Sequence, residues 1–216
     1  MSRVIVSIRK AGDTKAVILF DPDEKLVLPI DIVYKFALRR NDEIDDAVYE
    51  ELVHAGLQLQ IYDSALRYLG MRMHTTRELE QKLQKKKFSI EIIKEVLHRL
   101  KEQKLLDDEA FARLYIVHAF FDKKHGTNKI VTALQKRGVD YRVTKQLIDE
   151  VTSPEDRTAP LLTLARKKLA LLKKRNYDER QIKQKLIAFL LGRGFDYESI
   201  KTAMREINLS TNSEEE

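Results

Sequence analysis

The stretch Leu79-Glu80-Gln81-Lys82-Leu83-Gln84-Lys85-Lys86-Lys87-Phe88-Ser89-Ile90-Glu91-Ile92-Ile93-Lys94-Glu95-Val96-Leu97-His98-Arg99-Leu100 decides the fold, because its apolar pattern returns further along the chain. Leu79, Leu83, Phe88, Ile92, Val96, Leu97 and Leu100 correspond, at a constant offset of 51 residues, to Ile130, Leu134, Val139, Val143, Leu147, Ile148 and Val151. A further step of 56 residues reaches Leu186, Leu190, Phe195, Ile200 (one position late), Ala203, Met204 and Ile207. Steps of three and four within each copy mark one buried helix face, and the wider gap before the aromatic or aliphatic residue marks a turn. That turn is basic or glycine-containing each time: Lys85-Lys86-Lys87, Lys136-Arg137-Gly138 and Gly192-Arg193-Gly194. One further helix precedes each pair, near 63–72, 107–122 and 154–175. The pattern predicts a mainly α fold of three tandem three-helix repeats, at 61–106, 107–152 and 153–209. Stacked side by side, they would form an elongated, curved array.

Helix starts flank the repeat on both sides. Thr75-Thr76-Arg77-Glu78 fits a capping box, and Ser89, Asp107, Thr127, Asp140, Asp178 and Asp196 each fit an N-cap. Ser153-Pro154-Glu155-Asp156 adds a proline at the first helical position and two acids in the first turn. Before the repeats, residues 1–60 form an extension of different character. Arg3–Arg9, Ala16–Phe20 and Leu26–Leu28 read as three short strands separated by turns at 10–14 and 21–24. Helices are expected over 31–38 and about 45–59, around a polar break at Arg39–Asp42. Three short strands bury little by themselves, so the extension should pack on the helices that follow. Residues 210–216, ending in Glu214-Glu215-Glu216, read as a disordered tail.

Composition narrows the chemistry. The chain has 216 residues and no Cys, which excludes disulfide scaffolds, thiolate metal sites and cysteine nucleophiles. No uninterrupted apolar run approaches the ~18 residues of a membrane span, and the expectation is a soluble, cytoplasmic, monomeric protein. The net charge of +6 is uneven: residues 1–60 carry 8 Lys+Arg against 11 Asp+Glu, and residues 61–216 carry 32 against 23. The helical part therefore favours an acidic partner.

No catalytic constellation stands out. The five His have unrelated neighbours, Gly192-Arg193-Gly194 follows a helix rather than a strand, and Lys124-His125-Gly126-Thr127 lacks phosphate-loop spacing. Asp107-Asp108-Glu109 is ordinary helix-start chemistry. The reading assigns no catalytic residue, metal or cofactor. Binding falls to the basic residues Arg72, Lys82, Lys85, Lys86, Lys87, Lys136, Arg137, Arg166, Lys167, Lys168, Lys173, Lys174, Arg175 and Arg193. Dipole matching at helix C-termini explains some of them. Their return at the same turn of each copy predicts a cationic strip, suited to a phosphate backbone or an acidic protein groove. No aromatic residues alternate with these cations in sequence, which speaks against base stacking.

Ala65, Leu66, Leu69, Met71 and Arg72, then Thr75, Glu78, Leu79, Leu83 and Phe88, resemble the first repeat of the RecX regulatory proteins. Leu106-Asp107-Asp108-Glu109-Ala110-Phe111-Ala112 resembles the junction into that family's second repeat, and Gly126, Ile130, Leu134, Arg137, Gly138 and Val139 its core. The resemblance spans about residues 60–207. Lys87 stands where the family turns with Gly, and His118 where a basic residue is common. The resemblance implies a non-enzymatic regulator of the RecA recombinase that lies on the RecA–single-stranded DNA filament. There it would block extension or promote disassembly, restraining ATPase, strand exchange and repressor cleavage in the SOS response, with weak direct DNA binding at most. Two readings of the residues stay open beside it: a helix-turn-helix regulator that binds duplex DNA independently of RecA, and a scaffold for another acidic partner.

Overall fold

Apolar residues alternate through Arg3–Lys10, Lys15–Asp21 and Glu24–Pro29, and each stretch is a strand (β1, β2 and β3). The structure, a computed structural model, describes residues 3–21 and 24–208. The middle of the turn expected at 21–24 and the tail expected at 210–216 lie outside the described residues. The helix expected over 31–38 runs only Ile30–Lys35 (α1), because Ala37 takes φ 48° and turns Leu38 into the core. The polar break that follows yields a strand absent from the sequence reading, Glu43–Ile44 (β4), paired with Arg3 and Val4. The Ile5 N–H donates to Asp42 O (3.0 Å) and Asn41 N–H to Ile5 O (2.8 Å), which continues that edge. The sheet is antiparallel, in the order β3-β2-β1-β4.

One face of this sheet buries Ile5, Ile18, Phe20 and Leu28 together with Leu52 of the following helix, as the shortage of core in three strands requires. That helix corrects the sequence reading. In place of separate helices at 45–59 and 63–72, a single helix runs Asp46–Met71 (α2), and the boundary expected at 60/61 falls inside it. Its buried residues explain the misreading: Leu52 and Gly56 face the sheet, whereas Ile61, Ser64 and Ala65 face helices further on. The buried stripe changes partner between 56 and 61, and the apolar period breaks although the backbone does not. At Gly56 the helix approaches β3 so closely that a Cβ would sit 3.2 Å from Val27 O.

The remaining helices are Thr76–Gln84 (α3), Ile90–Glu102 (α4), Asp108–Val117 (α5), Thr127–Lys136 (α6), Tyr141–Val151 (α7), Pro154–Lys173 (α8), Glu179–Gly192 (α9) and Tyr197–Glu206 (α10). The residues that define the repeat are the cores of three trios. Ile61, Leu79, Leu83, Val96 and Leu100 cluster in the first, Ile116, Ile130, Leu134 and Leu147 in the second, and Leu161, Leu186, Leu190 and Met204 in the third. Thr75, Asp107, Asp140, Asp178 and Asp196 each accept a backbone N–H of the first turn, and Ser153 with Asp156 closes a full capping box. Two expected caps differ. Thr127 is the first helical residue after an N-cap at Gly126, and the Ser89 hydroxyl donates to the Glu91 carboxylate instead of capping α4. Between α5 and α6 the chain makes a π turn, His118–Asp122, which buries Ala119 and Phe120. The chain divides into two compact units, residues 1–106 and 107–216. No described helix is long and apolar enough to cross a membrane.

Candidate binding surface on the helical turns

The three basic turns share one backbone conformation. Lys87 (φ 64°), Gly138 (φ 89°) and Gly194 (φ 91°) occupy the left-handed position that ends α3, α6 and α9. Gly138 N–H donates to Gln135 O (2.9 Å) and Val139 N–H to Leu134 O (3.1 Å). Gly194 N–H and Phe195 N–H repeat the pair onto Leu191 O (2.8 Å) and Leu190 O (3.3 Å). This satisfies the last helical carbonyls and places an apolar residue after the turn against the helix it closes. Lys87 holds the same conformation with a side chain that disfavours it by ~1–2 kcal/mol. Lys87→Gly is therefore expected to stabilise the protein by about 0.5–1 kcal/mol, once glycine's greater unfolded freedom is counted. A urea midpoint that falls for this variant would contradict the assignment.

The residue before each left-handed position is a cation, and each lies over an aromatic ring. Lys86 Nζ is 5.3 Å from the Tyr68 ring centre, the Arg137 guanidinium 5.0 Å from Tyr115, and that of Arg193 5.3 Å from Phe189. Lys82 Nζ joins Lys86 on Tyr68 (4.7 Å), and Lys168 Nζ joins Arg193 on Phe189 (5.1 Å). Lys86 Nζ also donates to the Ser64 hydroxyl (3.3 Å), and Arg137 Nη1 to Ala133 O (3.0 Å). A ring attracts a cation through its quadrupole and restrains a side chain that would otherwise sample many rotamers.

The other sequence candidates divide into two kinds. Arg72 and Arg166 are engaged by carboxylates, Glu78 at 2.9 Å and Glu206 at 3.4 Å. Lys85, Lys87, Lys136, Lys167, Lys173, Lys174 and Arg175 are exposed. The sequence reading found no aromatic residues among the cations, and in space this is reversed: the rings lie directly under them. Tyr68 and Tyr115 come from the helix that opens each trio, far in sequence from the cation they carry. Phe189 and Arg193 share one face of α9 at four-residue spacing, which is the signal the sequence did contain. Lys185 and Tyr177, 4.7 Å apart, were missed as well.

Three titrating groups report on the local field. Burial, followed by the charges of Lys129, Arg193 and Lys123, pushes His125 below the usual imidazole range. The Arg175 guanidinium, followed by the charge of Lys185, holds the Tyr177 phenol below its ordinary value. His74, beside the first turn, is lowered mainly by burial, and its ring Nδ1–H donates to Arg72 O (2.9 Å). The turns thus present restrained cations in positive surroundings.

Two family models match the chain: the first three-helix domain of RecX over residues 62–100, and the third three-helix domain of RecX over 155–204. Regulatory protein RecX of Clostridium perfringens strain 13 is 30% identical over 209 residues, covering 97% of this chain and 96% of that protein. Regulatory protein RecX of Bacillus subtilis strain 168 is 28% identical over 98% of this chain and 79% of its own length. Among solved structures, a crystal structure of regulatory protein RecX superposes with a TM-score of 0.79 at 23% identity, covering 95% of this chain and 98% of that one. The crystal structure of RecX from Lactobacillus salivarius gives a TM-score of 0.63 at 26% identity, covering 71% of this chain and 97% of that one.

Proposed function

Because this chain belongs to the RecX family of regulatory proteins, we propose that it regulates the RecA recombinase by binding the RecA–single-stranded DNA filament. On this reading it restrains ATPase, strand exchange and repressor cleavage by blocking filament extension or promoting disassembly. The observation that carries the proposal is the recurrence of a ring-backed cation at the same turn of all three trios. A filament offers acidic groups at regular intervals, and a protein with repeated, restrained cations can engage several at once. No bond needs to be made or broken. Tighter binding to one state of the filament than to another shifts the assembly equilibrium by that difference in affinity.

Neutralising Lys85, Lys86, Lys87, Lys136 and Arg137 together is expected to weaken inhibition of RecA ATPase at least several-fold near 0.1 M salt. It should also flatten the dependence of inhibition on salt. A salt series of ATPase measurements with wild type and variant checks both, and unchanged inhibition would remove these turns from the interface. A duplex gel shift without RecA separates this reading from a free-standing helix-turn-helix regulator, which would show a discrete complex.

A further inference from the structure

We propose that the third trio carries a contact site for the phosphates of a single nucleic-acid strand, built around the rings of Phe189 and Tyr177. Four cations converge there from separate parts of the chain. Lys168 of α8 and Arg193 at the end of α9 lie over Phe189, at 5.1 and 5.3 Å. Lys185 of α9 lies 4.7 Å from the Tyr177 ring. Arg175, between α8 and α9, stands two residues before Tyr177, and its carbonyl accepts the Tyr177 backbone N–H (2.8 Å). Lys185 and Phe189 stand four residues apart on one face of α9, which brings the two rings into one patch.

Among the described residues none of these four cations forms an ion pair, while the neighbouring acids are engaged elsewhere. Glu179 pairs with Lys183 at 3.0 Å, Asp178 caps α9, and Glu206 faces Arg166. Gathering like charges without a carboxylate between them costs folding energy, and an anionic ligand would recover it. The rings hold the ammonium and guanidinium groups extended, so less side-chain freedom is lost on binding than for a solvated lysine. Ring faces already covered by cations are poor platforms for bases, which points to phosphates, read without regard to sequence. Four cations with no interposed acid match a strand that carries one charge per nucleotide.

The assignment deepens the filament reading and rests on it for the strand that supplies the phosphates; its test omits RecA, so the two can fail separately. Anisotropy of a fluorescein-labelled oligothymidylate, titrated with the full chain, reads the affinity directly. Lys168→Gln with Lys185→Gln should weaken binding about 10-fold near 0.1 M salt and lower the slope of log Kd against log salt by about 1.4, at ~0.7 per phosphate contact. Lys167→Gln with Lys173→Gln removes the same charge from exposed lysines that no ring holds, and should weaken binding less than about 3-fold. Equal losses in the two pairs would mean that bulk charge alone is responsible, and would overturn the site. Strand binding untouched by the first pair, with weakened restraint of RecA ATPase, would instead assign the patch to an acidic protein surface. Absence of strand binding by the wild-type chain, with RecA inhibition intact, would overturn the strand site and leave the filament reading standing.

Discussion

Gly194→Ala is expected to lower stability by about 3–5 kcal/mol. Two separate penalties coincide at this residue. Its φ of 91° is a conformation that L side chains rarely adopt, and its missing Cβ leaves the room into which the start of α6 is packed. An added Cβ would lie 2.5 Å from Lys129 N and 2.9 Å from Lys129 Cα, and neither backbone atom can swing aside. The approach is reciprocal, since a Cβ on Gly126 would strike the backbone of Gly194 and Phe195. Hydrogen bonds explain why the two segments come so close. Gly126 N–H donates to Arg193 O (2.9 Å) and Asn128 N–H to Gly194 O (3.0 Å), so the uncapped first turn of α6 finds its acceptors on the α9–α10 turn. Gly12→Ala is the control, because it imposes the same left-handed strain, at φ 73°, where an added Cβ would meet nothing within 4 Å. It should cost ~1–2 kcal/mol. Urea unfolding of the two variants separates strain from collision, and equal midpoints would show that the collision is relieved.

Phe120→Ala should cost about 3–5 kcal/mol, whereas Phe121→Ala should cost less than about 1 kcal/mol. The contrast follows from the π turn at His118–Asp122. Phe120 is 1% exposed and packs with Ile116 and Ile130, while the next residue, Phe121, is 46% exposed. Truncating the first leaves a phenyl-sized void between α5 and α6; truncating the second removes a ring that water already reaches on one side. Comparable losses from both would mean that Phe121 is packed as deeply as Phe120.

The two variants also show what the sequence could and could not disclose. Apolar residues recurring at steps of 51 and then 56 betrayed three trios because burial demands the same face in each copy, and every caesura between helices carried a capping side chain or a left-handed residue. The continuity of α2 stayed hidden because its buried stripe passes from the sheet to the first trio, which breaks the period without breaking the helix. The contact between Gly126 and Gly194 had no local signature, since it joins segments far apart in sequence. The basic residues were legible as types, but their division was not. Whether a lysine sits on a ring, pairs with an acid or stands in water depends on which helix lies opposite, and Tyr68 and Tyr115 reach their cations only after the trio has closed.

The uninterrupted course of α2 has a mechanical consequence. At ~1.5 Å per residue its 26 residues form a rod of about 39 Å, rooted in the sheet at one end and in the first trio at the other. Such a rod transmits torque. A macromolecule that grips the sheet would turn the first trio with it, without waiting for a linker to search for a pose. The sheet and the first trio are therefore coupled, and the orientation of one fixes the direction in which the first basic turn is aimed.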